Sequence, residues 1–226
     1  MTMNHAFQKN IAARARCVTC LGAVAAVLLA AGCGALPDKP GRATLYGFGP
    51  GLTLPAAAPA NPAALPTIAL AEIDASSRLE GTQLLYRLGY ADANELRPYG
   101  QARWSLAPAQ LLRQRLRDGL AARRTVLEPE ESATIARSEG KVPDTLRISL
   151  DEFSHYFESP ASSIGLVRLR ATLVRRSTGG DQVLAQRSFV ARQAAPSADA
   201  RGGVKALAAA SDAVVAEVVA WVDQPR

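Results

Sequence analysis

Ser138 and Lys141 stand three positions apart, the spacing at which a lysine one helical turn away can activate a serine for acyl transfer. No Lys-Thr-Gly partner follows, and Pro143 sits badly with a helix at that point, so the pair is expected to be inert. Cys17 and Cys20 have the CxxC spacing of redox and zinc sites, yet they fall inside a segment that reads as a removed leader. Glu128, Glu130 and Glu131, and the pair Asp151-Glu152, supply carboxylates. Adjacent strand residues point to opposite faces, so Asp151 and Glu152 are not expected to share one substrate atom. His155, among Phe153, Tyr156 and Phe157, is either a general base or a packed strand residue. Arg113 and Arg117, with Arg115, Arg123 and Arg124, make one helix basic, and guanidinium groups pair well with phosphate or carboxylate. They form either a patch for a partner or anionic lipid, or a solvated helix face. Tyr86 and Trp104 offer large contact area to a protein interface, core packing being the alternative. No catalytic residue, metal site or cofactor is expected.

The leader explains much of this. Lys9, Arg14 and Arg16 precede an uncharged stretch from Val18 to Ala31, and Ala30-Ala31-Gly32-Cys33 follows. At about 14 residues the apolar stretch is short of the roughly 20 that span a bilayer, which fits a signal peptide over residues 1–32 rather than an anchor. The end of the segment resembles the lipobox of bacterial lipoproteins, although Ala30 occupies the place usually held by a branched aliphatic residue. The resemblance implies acylation of Cys33, palmitate included. Gly34, rather than Asp, after the cysteine implies the periplasmic face of the outer membrane. Removing the leader leaves 23 basic against 20 acidic residues, so a formal charge of +6 becomes +3 and nucleic acid is an unexpected partner. Cys33 and His155 are then the last of their kinds, too few for a Cys/His metal cluster or a structural disulfide.

Residues 33–65 read as a tether. Seven of the chain's 14 prolines lie between Gly34 and Pro66, with few charges, a composition that cannot bury enough surface to fold alone. Extended, its first ten residues would reach about 30 Å. Within it Thr44–Pro50 looks like a short strand closed by a turn, and the Gly47, Gly49, Gly51 spacing belongs to that turn rather than to a dinucleotide loop.

Residues 66–226 have the length of one domain. Thr67–Asp74, Gln83–Arg87 and Thr125–Leu127 read as strands, and Asn94–Arg103 as a turn leading into extended chain. A helix is expected from an N-cap at Ser105, with Leu112, Leu116 and Leu120 inward and Arg113 and Arg117 outward. Thr145–Phe157 alternates as a strand, and its parity changes at Asp151-Glu152, the signature of a bulge. Val167–Leu173 and Gln182–Ala191 form a hairpin across a Gly-rich turn. A long amphipathic helix runs from about Asp199 to Val222, with Val204, Leu207, Ser211, Val214, Val218 and Trp221 on one stripe. This order predicts an α+β domain: a largely antiparallel sheet with two main helices on one side.

Leu84-Leu85-Tyr86-Arg87, then Arg103-Trp104, then the Leu-rich helix through Leu116, Gly119 and Leu120 resemble the ABC-type transport auxiliary lipoprotein family, which includes the paraquat-inducible C-type lipoproteins. Tyr46, Phe48 and Pro50 resemble its opening aromatic strand. The resemblance implies an outer-membrane-anchored periplasmic lipoprotein without catalytic residues, working in lipid transport with an MCE-domain protein, a permease and an ATPase. A homo-oligomer is compatible with it. A lipoprotein that carries a lipid or glycolipid beneath its helices is the alternative, and a serine hydrolase using Ser138 and Lys141 the enzymatic one.

Overall fold

The centre of the molecule is a single 14-residue strand, Asp144–Phe157, labelled β6 below in chain order. The computed structural model describes residues 42–50, 65–131, 142–177 and 179–224. Cys33, Ser138 and Lys141 lie outside them. Ala43–Arg226 is one compact unit, and the other unit, Met1–Arg42, lies outside the described residues but for Arg42. The elements are β1 (Thr44–Tyr46), β2 (Ile68–Ala75), a 3-10 turn (Ser77–Leu79), β3 (Gln83–Leu88), the one-turn helix α1 (Gly89–Asp92), β4 (Ala93–Trp104), α2 (Pro108–Ala121), β5 (Val126–Leu127), β6, β7 (Ser163–Ser177), β8 (Gly180–Ala194) and α3 (Ala200–Val222).

One edge of β6 is shared by two strands placed end to end. β2 pairs with its first half, from Ile68 opposite Asp144 to Ala75 opposite Leu150, and β3 with its second, from Tyr86 opposite His155 to Leu88 opposite Phe157. The other edge takes β7 along its full length, and β8 pairs with β7. The predicted bulge is present: the β6–β7 register shifts between Leu150 and Glu152, at the junction between the β2 and β3 stretches. Leu146, Ile148 and Leu150 before it, and Phe153, His155 and Phe157 after it, are buried.

The sheet is mixed, which corrects the largely antiparallel expectation. β3–β4, β6–β7 and β7–β8 are antiparallel, whereas β2 and β3 run parallel to β6, β5 to β2 and β1 to β4. Alternation reports which residues face the core and carries no strand direction. Parallel neighbours require a long crossover, and between β2 and β6 that crossover holds α2. Asn94–Arg103, expected as a turn leading into extended chain, is strand throughout: β4 pairs with β3, and because half of its residues are exposed and only two are buried, it lacks the alternation of a half-buried strand. Pro98 is tolerated there because β1 reaches only Ala102–Trp104 and leaves β4 an edge at the proline.

The two main helices pack on one another and on the sheet, as expected, and their apolar stripes merge with the inner faces of β2, β6, β7 and β8 in one core. α2 starts later than the sequence suggested. Pro108 forces the residue before it, Ala107, into extended backbone, which makes Ala107 the N-cap, and Ser105 instead donates its backbone N–H to Tyr46 O at 2.7 Å. α3 begins where predicted, its N-cap Asp199 accepting a bond from Gly202 N at 2.7 Å. Among the described residues no helix is long and apolar enough to cross a membrane.

α3 lies unusually close to the sheet. A Cβ built on Gly165 of β7 would stand 2.5 Å from Ala206 O and Leu207 N, both backbone atoms of α3. Gly165→Ala should therefore force the helix away and cost about 2 kcal/mol or more, whereas Gly81→Ala, which meets nothing within 4 Å, should be near neutral. Chemical denaturation of the two variants distinguishes these outcomes.

Candidate functional site

His155 is fully buried and bonded at both ring nitrogens: Tyr99 Oη lies 2.8 Å from Nδ1 and Ser163 Oγ 2.8 Å from Nε2. Either neutral tautomer completes the chain from tyrosine to serine. The connectivity resembles that of a nucleophilic serine and its base, but α3 seals it. Gly203 packs on the imidazole, where an added Cβ would come within 2.6 Å of Cγ, and Ser163 is buried. Burial pushes the imidazole down to about 4, opposed only by the charge of Asp199, and pushes the Tyr99 phenol up. His155 thus serves as a neutral rivet between β6, β4 and β7 under the helix start. Tyr86 joins this layer, 4.7 Å from the Tyr99 ring and 6.1 Å from that of Phe157. Trp104 lies in the core, edge-on to Phe48 and Phe153 at 5.6 and 5.7 Å. The opening aromatic segment is thus built into the domain.

The arginines of α2 are drawn inward. Arg113, which the sequence placed on the outer face, has a side chain only 16% exposed. It pairs with Glu128 and, at 3.5 Å, with Glu72, and donates to Leu70 O and Ala71 O. Its long apolar stem allows an arginine beside the core to reach polar groups at the sheet edge. Arg115 meets Asp212 of α3 at 3.4 Å and donates to Phe48 O at 2.7 Å, tying the N-terminal segment to both helices. Arg123 and Arg124 converge on Asp223 just past α3. Arg117, also paired with Glu128, at 2.7 Å, keeps 40% of its side chain exposed. Of the four residues proposed for contact, Tyr86 and Arg113 are mostly inside, Trp104 is wholly inside, and Arg117 is at the surface.

Between α2 and α3 an open groove of about 340 Å³ has Gly119, Val215, Ala216 and Val219 among its lining, with Arg115–Asp212 and Arg123–Asp223 ion pairs beside it. Burial raises the Asp212 carboxyl, an effect Arg115 opposes. Beneath the helices, where a carried lipid would need a cavity, Leu112, Leu116, Leu120, Leu207, Val214 and Val218 fill the space. Among the described residues no group of three metal-ligating side chains converges.

Over residues 51–219 the sequence matches the family of ABC-type transport auxiliary lipoprotein components. The chain belongs to this family. None of the curated proteins matches it. Among solved structures it is similar to protein XCC0632 from Xanthomonas campestris, with 19% identity and a TM-score of 0.59 over 72% of this chain and 88% of that one. It is also similar to the crystal structure of an uncharacterized protein, with 16% identity and a TM-score of 0.56 over 80% and 99% of the two chains. At these identities the likeness establishes the fold shared by the three chains. In this family member, Tyr99 and Ser163 are candidate functional-site residues that no sequence motif marks. Their signal was faint: Ser163 opens an apolar strand, and Tyr99 lies on a strand without alternation.

A buried imidazole below its ordinary range carries a pH signature. The unfolded chain takes up a proton near pH 6.5 and the folded one only near pH 4, so stability is complete above about 6.5 and falls as the pH drops through that window. The loss should be on the order of 2 kcal/mol by about pH 4.5. His155→Gln, which cannot titrate, should flatten this part of the profile in thermal melts.

Proposed function

We propose that this chain is an outer-membrane lipoprotein of an MCE/ABC-type lipid-transport system. It is held on the periplasmic face by lipidated Cys33 and acts by docking, or as part of a conduit, rather than by chemistry. Family membership supports the transport role, and the leader and Cys33 support the anchor. The observation that carries the docking reading is the sealing of the Tyr99–His155–Ser163 chain beneath α3, which gives the polar residues best arranged for chemistry a structural task. The partners are an MCE-domain protein with its permease and ATPase, and further copies of this chain. Arg117, at the surface of α2, is the contact residue among the four read from the sequence.

Cys33→Ala should release the protein from the outer-membrane fraction, since one acyl-bearing residue supplies the attachment. Retention after a high-salt wash would refute it. Arg117→Glu should weaken co-purification of the MCE partner, because reversing an interfacial charge slows encounter, while shifting stability by less than about 1 kcal/mol. Arg113→Glu should do the opposite and lower the melting temperature, because it sets a carboxylate against Glu128 and Glu72 and abandons two carbonyls. Full complex formation by the Arg117→Glu protein would remove α2 from the interface.

A further inference from the structure

The face of the sheet turned away from the helices carries two neighbouring arginines, Arg168 and Arg170, beside carboxylates that pair with neither. Across four strands, Asp74, Ser149, Arg170 and Ser188 stand in direct register, and Arg168 lies two residues from Arg170 on the same face of β7. With Arg78 from the turn after β2 and Asp151 from the bulge, they line an open depression of about 680 Å³. Its charged lining holds one more cation than anion.

The arginines of α2 all have carboxylate partners, but among the described residues Arg78, Arg168 and Arg170 have no ion pair. The cause at Arg168 is specific. Its registered neighbour on β6 is Glu152, and that carboxylate is taken from the other side by Arg87, whose Nε and Nη2 donate to its two oxygens at 3.1 Å each. Arg87 is itself buried and further fixed by donating to Ala93 O and Asn94 O, so Glu152 is not free to turn. Two unpaired guanidinium groups on one strand face repel each other, and a shared anion between them would convert that repulsion into attraction. Of the flanking hydroxyls, that of Ser149 donates to Asp151 Oδ1 at 3.4 Å, and that of Ser188 is one strand spacing from Arg170, about 4.8 Å, within reach of a remaining oxygen of the same anion.

We propose that this depression binds a phosphate-type oxyanion, with Arg168 and Arg170 gripping its oxygens and the Ser188 hydroxyl adding a hydrogen bond. The volume is that of a small-molecule site and accommodates either free phosphate or the phosphodiester of a lipid headgroup.

Isothermal titration of the full chain, purified in a non-ionic detergent and kept at constant ionic strength, tests this with inorganic phosphate and with water-soluble dihexanoyl phosphatidylglycerol. Binding of either supports the site: phosphate alone identifies the free anion as the ligand, and tighter binding of the phospholipid identifies the headgroup. Arg168→Gln/Arg170→Gln should weaken that binding at least about tenfold, as expected for lost hydrogen bonds from charged groups. Arg192→Gln, an exposed arginine farther along β8, should leave it unchanged. In phosphate-free buffer the double variant should melt no lower than the wild type. Equal binding by the double variant, no binding of either probe, or a melt several degrees below the wild type, which would make the pair structural, overturns the proposal.

Discussion

Everything on the helical side rests on how near α3 comes to the sheet. Gly165 on β7 and Gly203 on α3 remove the two side-chain atoms that would hold the layers apart, and the helix start then closes over His155. At this separation the stripe from Val204 to Trp221 reaches the inner faces of β6, β7 and β8, and α2 can lie beside α3 with Gly119 near Val215 and Val219. Arg115–Asp212 and the arginines meeting Asp223 join the helices only because that spacing is fixed first. Close packing thus comes before the electrostatics, and a polar group trapped in the layer is costly unless it is neutral and bonded. His155 meets both conditions.

The distribution of arginine partners divides the domain into two surfaces of different character. On α2, guanidinium groups serve as cross-braces, reaching carboxylates and carbonyls of β2, α3 and the segment after β1. On the outer sheet face Arg168 and Arg170 stand in the open, although Arg147 is paired there with Asp181 at 2.7 Å. Composition alone cannot show this difference, because a positive count is the same whether each charge is held internally or offered to solvent.

Features set by local pattern were legible in the sequence, and features set by remote partners were not. The bulge at Asp151-Glu152 was visible as a change of parity, and the α3 cap at Asp199 and its buried stripe as spacing. The start of α2 was misplaced because Ser105 is an attractive cap, but the proline rule acting on Ala107 outweighs it. Strand direction was invisible, and β4 was legible only in its extended later part, because a strand with half its residues exposed and two buried has little alternation to read. The interior role of Arg113 depends on Glu72 and Glu128, far apart in the chain and brought together by the sheet edge. Tyr99 and Ser163 lie 56 and 8 residues from the histidine they bond, a relation fixed by topology rather than by motif.

The end-to-end seating of β2 and β3 on one edge of β6 also governs the order in which the domain can assemble. Strands β6, β7 and β8 are neighbours in the chain and can zip as hairpins, but β2 must wait for β6, roughly 70 residues downstream, and β3, which can first pair with β4, waits as long for its second neighbour. A chain emerging amino end first would expose these apolar strands before their template exists, so productive folding begins in its second half and works backwards. β2, with no partner close in the chain, is thus the segment most in need of protection while the protein is being made and moved.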